Sequence, residues 1–165
     1  MPAHAIDYLT EVQAQKVLFA EADQFVQKQI TLSDEMVDKI KDLTGTRQRN
    51  KNPLIWEAKK KGKSLGYFFV DQVVGKHEYI TYALGIDTNN LINGLEILSY
   101  RETRGGEVRN EGWRKQFKGK KITDPFKLDV DVPNITGATL SSRNLLDGAK
   151  RLLNLKKLLD DAKAI

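Results

Sequence analysis

The chain has 165 residues, a formal net charge of +5, a pI near 9.3, two histidines and no cysteine. The lack of cysteine excludes disulfides, thiolate-bound zinc, iron–sulfur clusters and cysteine nucleophiles, and two histidines are too few for a His-rich metal site. Hydrophobic residues make up 40% and charged residues 30%, the balance of a globular domain able to bury a core, and no run of about 18 apolar residues could span a bilayer.

The surplus of Lys and Arg favours acidic partners in general. Nucleic acid is not expected among them, because no aromatics interleave with the basic stretch Arg47, Arg49, Lys51 to stack on bases. A Ser-His-Asp triad would need His77, and no Gly-x-Ser-x-Gly elbow is present.

Ala3-His4-Ala5 has the A-x-A form of a signal-peptidase site, so residues 1–5 read as a remnant of signal cleavage or of cloning. From Leu9 to about Ile30, apolar Val12, Leu18, Ala22, Phe25 and Val26 recur at helical spacing, with Thr10 as cap and Glu11 in the first turn. Ser33 opens a second helix through Met36, Val37, Ile40 and Leu43, and Gly45 is placed to end it. Residues 6–52 thus read as an N-terminal helical region that packs on a sheet.

From Pro53 the pattern changes. Leu54–Ala58 and Ser64–Val74 flank the turn signal Lys60-Lys61-Gly62-Lys63 and predict a hairpin. Tyr79–Ile86 and Leu91–Tyr100 follow as strands, separated by Asp87-Thr88-Asn89-Asn90. Short polar connections between successive strands predict an antiparallel sheet, and helices before and after it give the α+β class. Residues 53–165 form one unit with the N-terminal helices on this reading.

Arg101–Arg109 is a loop containing Glu102-Thr103-Arg104-Gly105-Gly106, whose adjacent glycines permit close backbone approach to a ligand. Trp113 and Phe117 lie four apart, on one face of a short helix, either packed under the sheet or walling a planar ligand. Lys120–Pro133 is irregular, and Asp129 and Asp131 read as the solvent face of a strand in preference to a metal pair. Leu145, Leu146, Ala149, Leu152, Leu153 and Leu159 mark an amphipathic helix to about Asp161. Just before it, Thr136-Gly137-Ala138-Thr139-Leu140-Ser141-Ser142 allows two readings. The hydroxyls of Thr139, Ser141 or Ser142 cap the helix, or Thr139 presents an accessible oxygen to a phosphate at the helix N-terminus.

Three landmarks in order resemble the FMN-binding domain family, over roughly Ser64 to Leu155. Glu102-Thr103-x-Gly105-Gly106 is similar to the family's E-T-x-G-x-G segment. Trp113-Arg114-Lys115-Gln116-Phe117-Lys118-Gly119 is similar to its aromatic-x-x-Q-F-x-G segment. Thr136-Gly137-Ala138-Thr139-Leu140-Ser141 is similar to its S/T-G-A-T-x-S/T attachment motif.

The resemblance implies an electron-transfer flavoprotein with FMN joined through a phosphoester to Thr139. A separate flavin transferase would install it, with FAD as donor and magnesium. Glu102, Thr103, Gly105, Gly106, Trp113, Phe117, Thr136, Gly137, Ala138, Leu140 and Ser141 are the implied flavin contacts. The family usually has an acid shortly before its motif. Here Val132-Pro133-Asn134 stand in that place and Asp131 is the nearest acid. Noncovalent FMN, or a sensor module without redox turnover, is the alternative. The implied setting is extracytoplasmic and periplasmic, with redox protein partners and docking to a membrane electron-transfer complex.

Overall fold

The computed structural model describes residues 6–100 and 106–165. Strand β1 (Ile6–Asp7) leads to α1 (Glu11–Leu18), then β2 (Gln24–Lys28) and α2 (Asp34–Thr44). Strands β3 (Leu54–Lys60), β4 (Lys63–Val74), β5 (Tyr79–Asp87) and β6 (Ile92–Tyr100) follow. A 3-10 turn at Gly106–Arg109, the short helix α3 (Glu111–Arg114), a second 3-10 turn at Lys115–Phe117 and the long helix α4 (Thr139–Asp161) complete the order. All six strands join one antiparallel sheet in the order β1-β6-β5-β4-β3-β2, which bears out the α+β class.

Local chemistry fixes several boundaries. Thr10 Oγ1 accepts the Gln13 N–H at 3.1 Å while Gln13 Oε1 accepts the Thr10 N–H at 2.9 Å, a reciprocal cap at the start of α1. Ser33 Oγ caps α2 through the Met36 N–H at 3.2 Å, and Gly45 ends that helix at φ 74°.

The helix expected over Leu9–Ile30 stops at Leu18, and its second half is β2. Phe25 and Val26 suit a strand as well as a helix. Pairing with β3 decides, and Phe25 meets Phe19 and Phe68 edge-on at 6.3 and 6.2 Å.

Alternation along the strands loads both faces of the sheet. Tyr67, Phe69, Ile80, Tyr82, Leu84 and Ile86 join the larger core with α2 and α4, whereas Phe68, Val70 and Ala83 join a smaller one with α1. In β6, Ile97 and Tyr100 face the same core although three residues apart. A bulge makes this geometry, because Thr81 pairs with Ser99 and Tyr82 with Ile97, leaving Leu98 over.

Helix α4 lies close against the sheet. A Cβ at Gly148 would sit 2.4 Å from the Tyr82 hydroxyl and 2.9 Å from Val73 Cγ1. The Tyr82 hydroxyl donates to Asp71 Oδ2 at 2.6 Å, and the same oxygen accepts from the Arg151 guanidinium, which also donates to Gln48 Oε1. Arg151 and Gln48 are buried, so the linker after α2, strand β4 and helix α4 share one polar junction. Burial pushes the Tyr82 hydroxyl well above its ordinary range, and Asp71 adds to this. Burial alone would lower the Arg151 guanidinium, but Tyr82 and Asp71 outweigh it and hold it up.

Asp129 and Asp131 belong to a turn, not to a strand. Asp129 has φ 59° and accepts the Asn134 N–H at 2.9 Å. The Asp131 carboxylate accepts the Lys127 and Phe126 N–H groups at 2.8 and 3.1 Å and pairs with Lys120 at 3.0 Å. Burial pushes the Asp131 carboxyl up, but these donors outweigh it and hold it below its ordinary value.

Two outcomes follow from these contacts. Gly148→Ala should lower the urea midpoint, by about 1–3 kcal/mol in stability, although alanine is the better helix former. A depressed carboxyl stabilises above its unfolded pKa of about 3.9 and loses this as pH falls through its folded value. Asp131→Ala should therefore cost about 1–3 kcal/mol at pH 7. Its deficit against the wild type should shrink below about pH 4 in acid titrations of stability.

Candidate functional site

The stretch leading into α4 is where two of the three sequence landmarks meet, through the contact between Trp113 and Pro133. The Ala138 N–H bonds the Ile135 carbonyl at 2.9 Å, closing a turn with Gly137 at φ 87°, a conformation that favours glycine. Ala138 is the N-cap, and no side chain among the described residues caps the helix. This corrects the expectation that Thr139, Ser141 or Ser142 serves as cap. Ser142 Oγ donates back to the Ala138 carbonyl at 2.7 Å and is buried. Ser141, also buried, lies with its Oγ 3.4 Å from the Tyr100 hydroxyl.

Thr139 is therefore the first helical residue and is half-buried. Its hydroxyl has no hydrogen-bond partner among the described residues, and neither have the N–H groups of Thr139, Leu140 and Ser141. Three unpaired donors at the positive end of a 23-residue helix favour an anion. Thr136, Gly137 and Leu140 are exposed around this point, and a Cβ at Gly137 would meet nothing within 4 Å. Open space, small neighbours and a free hydroxyl fit a phosphate or a phosphoester there. One further polar atom nearby in sequence, the buried Asn134 Oδ1, has no partner among the described residues.

The Trp113–Phe117 segment lies beneath this stretch. The two rings meet edge-on at 5.2 Å, and both are buried in the larger core. Trp113 Nε1 donates to the Pro133 carbonyl at 2.8 Å and so pins the approach to the threonine motif. Arg114 fastens the segment to β6 through the Leu95 carbonyl at 3.0 Å and Glu96 at 2.5 Å. Gly119 N–H bonds the Ile92 carbonyl at 2.7 Å, and Ile92 N–H returns to Lys120 at 2.9 Å. Burial of both rings accords with the packing role.

Of the other expected contacts, Gly106 opens a 3-10 turn, while Glu102, Thr103 and Gly105 lie outside the described residues. Sequence reasoning missed Tyr100 as the neighbour of Ser141. The bulge that aims it has no local signature, since Leu98 alternates like any strand residue. Pro133 reads as a breaker in the sequence, and only the fold shows its carbonyl as an acceptor.

No curated protein matches the sequence. Among solved structures, NqrC of Shewanella oneidensis superposes with a TM-score of 0.57, covering 98% of this chain and 83% of that one at 14% identity. A subunit of the Na(+)-translocating NADH-quinone reductase from Parabacteroides distasonis gives 0.54, over 89% of this chain and 84% of that one, at 15% identity. At such identities the likeness is one of fold. Residues 75–154, which run from the turn before β5 into the body of α4, match the FMN-binding domain family.

Proposed function

We propose that this chain is an electron carrier whose FMN is joined by a phosphoester to the Thr139 hydroxyl. The observation that carries the reading is the hydroxyl of half-buried Thr139, which has no partner among the described residues and lies beside three N–H groups likewise unpaired there. FMN supplies one- and two-electron transfer, so the chain needs no general acid or base of its own.

The residues around Thr139 have separable tasks. The N–H groups of Thr139, Leu140 and Ser141 would face the phosphate, with the exposed Thr136 hydroxyl as a further donor. Gly137 and Ala138 keep bulk away from the Thr139 oxygen, and Leu140 offers an exposed apolar surface beside it. Tyr100 and Trp113 act from behind, through Ser141 and Pro133. Buried as they are, Trp113 and Phe117 brace the site more readily than they stack on a ring. Glu102, Thr103, Gly105 and Gly106 are proposed for the isoalloxazine side, on the family resemblance.

Installation would be the work of a separate flavin transferase with FAD and magnesium. A bond forms between Thr139 Oγ1 and the FMN phosphorus, the FAD pyrophosphate bond breaks, AMP leaves, and the hydroxyl proton passes to a base. Asp131, the nearest acid upstream, is engaged by Lys120 and two backbone N–H groups, so it holds the loop that leads to the motif. The partners on this reading are redox proteins, including a membrane electron-transfer complex, as the name of the Parabacteroides neighbour suggests. An extracytoplasmic, periplasmic setting rests on Ala3-His4-Ala5 and the resemblance.

Mass spectrometry after coexpression with a flavin transferase should show the mass of FMN minus water on the wild type and on Thr139→Ser, and none on Thr139→Ala. No adduct in the presence of an active transferase would sink covalent attachment. The visible absorption of the loaded protein should bleach with dithionite and return in air. A bound flavin that bleaches but washes away on denaturation would support the noncovalent version instead.

A further inference from the structure

Strand β4 outruns its neighbour. The last β3–β4 pair is Leu54 with Val70, whereas β4 continues beside β5 to the Val74–Tyr79 pair. The residues that could extend β3 are held elsewhere. Pro53 has no N–H for a ladder. The Lys51 carbonyl accepts the Leu32 N–H at 2.7 Å, the Asn52 N–H bonds Asn50 Oδ1 at 2.9 Å, and Asn52 Oδ1 accepts the Thr31 hydroxyl at 3.0 Å.

Backbone direction alternates along a strand, and the Gly75 N–H bonds the Glu78 carbonyl on the β5 side at 2.8 Å. Gln72 and Val74 therefore turn their backbone groups outward. The Val74 carbonyl accepts from the Asn144 amide. The Gln72 N–H and C=O and the Val74 N–H have no hydrogen-bond partner among the described residues.

This open edge borders a cleft of about 700 Å³ between the linker after α2 and the β4–β5 end of the sheet. Three exposed apolar side chains line it: Leu54 at 38% exposure, Val74 at 38% and Tyr79 at 52%. Arg47 and Arg49 stand on its wall, exposed and without an ion pair among the described residues. Asp71 is spent on Arg151 and Tyr82, which leaves Glu11 as the uncommitted acid of the lining.

We propose that the cleft is a docking groove for an extended, acidic segment of a partner polypeptide. The segment adds a short strand beside residues 71–74 and completes the backbone bonding of Gln72 and Val74. Its apolar side chains rest on Leu54, Val74 and Tyr79, and its carboxylates meet Arg47 and Arg49, which fix direction and partner choice. The groove serves docking and is independent of whether the flavin is covalent.

The probe is a capped decapeptide of alternating glutamate and valine, titrated into the full-length, nitrogen-labelled chain and followed by amide shifts and hydrogen exchange. Saturable binding should protect the Gln72 and Val74 amides and weaken with added salt. The exposed double change Arg47→Glu/Arg49→Glu should weaken it by about fivefold or more. A peptide with proline at alternate positions should not bind, since it cannot form the ladder. Absence of binding overturns the proposal, as does equal binding of a lysine–valine peptide or protection at Gln24–Lys28 of β2. Concentration-dependent dimerisation that protects the same amides would assign the edge to a second copy of this chain and overturn it equally.

Discussion

Helix α4 can lie on the sheet because position 148 has no side chain to collide with Tyr82. That close approach brings the Arg151 guanidinium within reach of Asp71, the oxygen that also receives the Tyr82 hydroxyl. The junction is charged and buried, so its members depend on one another. Removing one partner would strand a charge in a poorly solvated place. The junction fixes the body of α4, and the position of its first turn follows from it. At the other end, Lys156 holds Asn90 and Asp160 at 2.6 Å each and lies 5.3 Å from the centre of the Tyr67 ring, a second pin on the same rod.

The first turn is shaped from three directions. Tyr100 comes from the sheet by way of the Leu98 bulge, Trp113 reaches Pro133 from below, and Asp131 ties the preceding turn together. Tyr100 and Trp113 reach it across 41 and 20 positions of sequence, Asp131 by local contacts, and together they flank Thr139 on both sides. The hydroxyls of Ser141 and Ser142 are engaged with Tyr100 and the Ala138 carbonyl, and that of Thr139 is left without a partner among the described residues. The helix end without a side-chain cap and the half-exposed hydroxyl are one arrangement.

Local chemistry was legible in the sequence, and long-range choices were not. The caps at Thr10 and Ser33, the stop at Gly45 and the Lys61-Gly62 hairpin depend on neighbours a few residues away, and all could be read directly. The stretch from Phe19 to Lys28 could not, because Phe25 and Val26 satisfy helical periodicity and strand preference alike, and β3 decides between them. The spacing of Trp113 and Phe117 announced a shared face, but not that the indole N–H would reach a carbonyl twenty residues on. At α4 the excess of hydroxyls misled. Three candidates for a cap were present, and the helix uses none of them because Ser142 bonds backward and Ser141 turns to Tyr100.

The Arg151 junction also bears on the order of events during biogenesis. It joins groups 80 and 103 positions apart in the sequence, and contacts of that span form late because loop closure must precede them. Before α4 docks, Ser141 has no Tyr100 to face and the first turn has no fixed direction. If FMN is joined to Thr139 as proposed, a modifying enzyme that recognises this arrangement would meet a finished domain and not a nascent chain. Attachment would then be a checkpoint on folding, with misfolded copies left without cofactor.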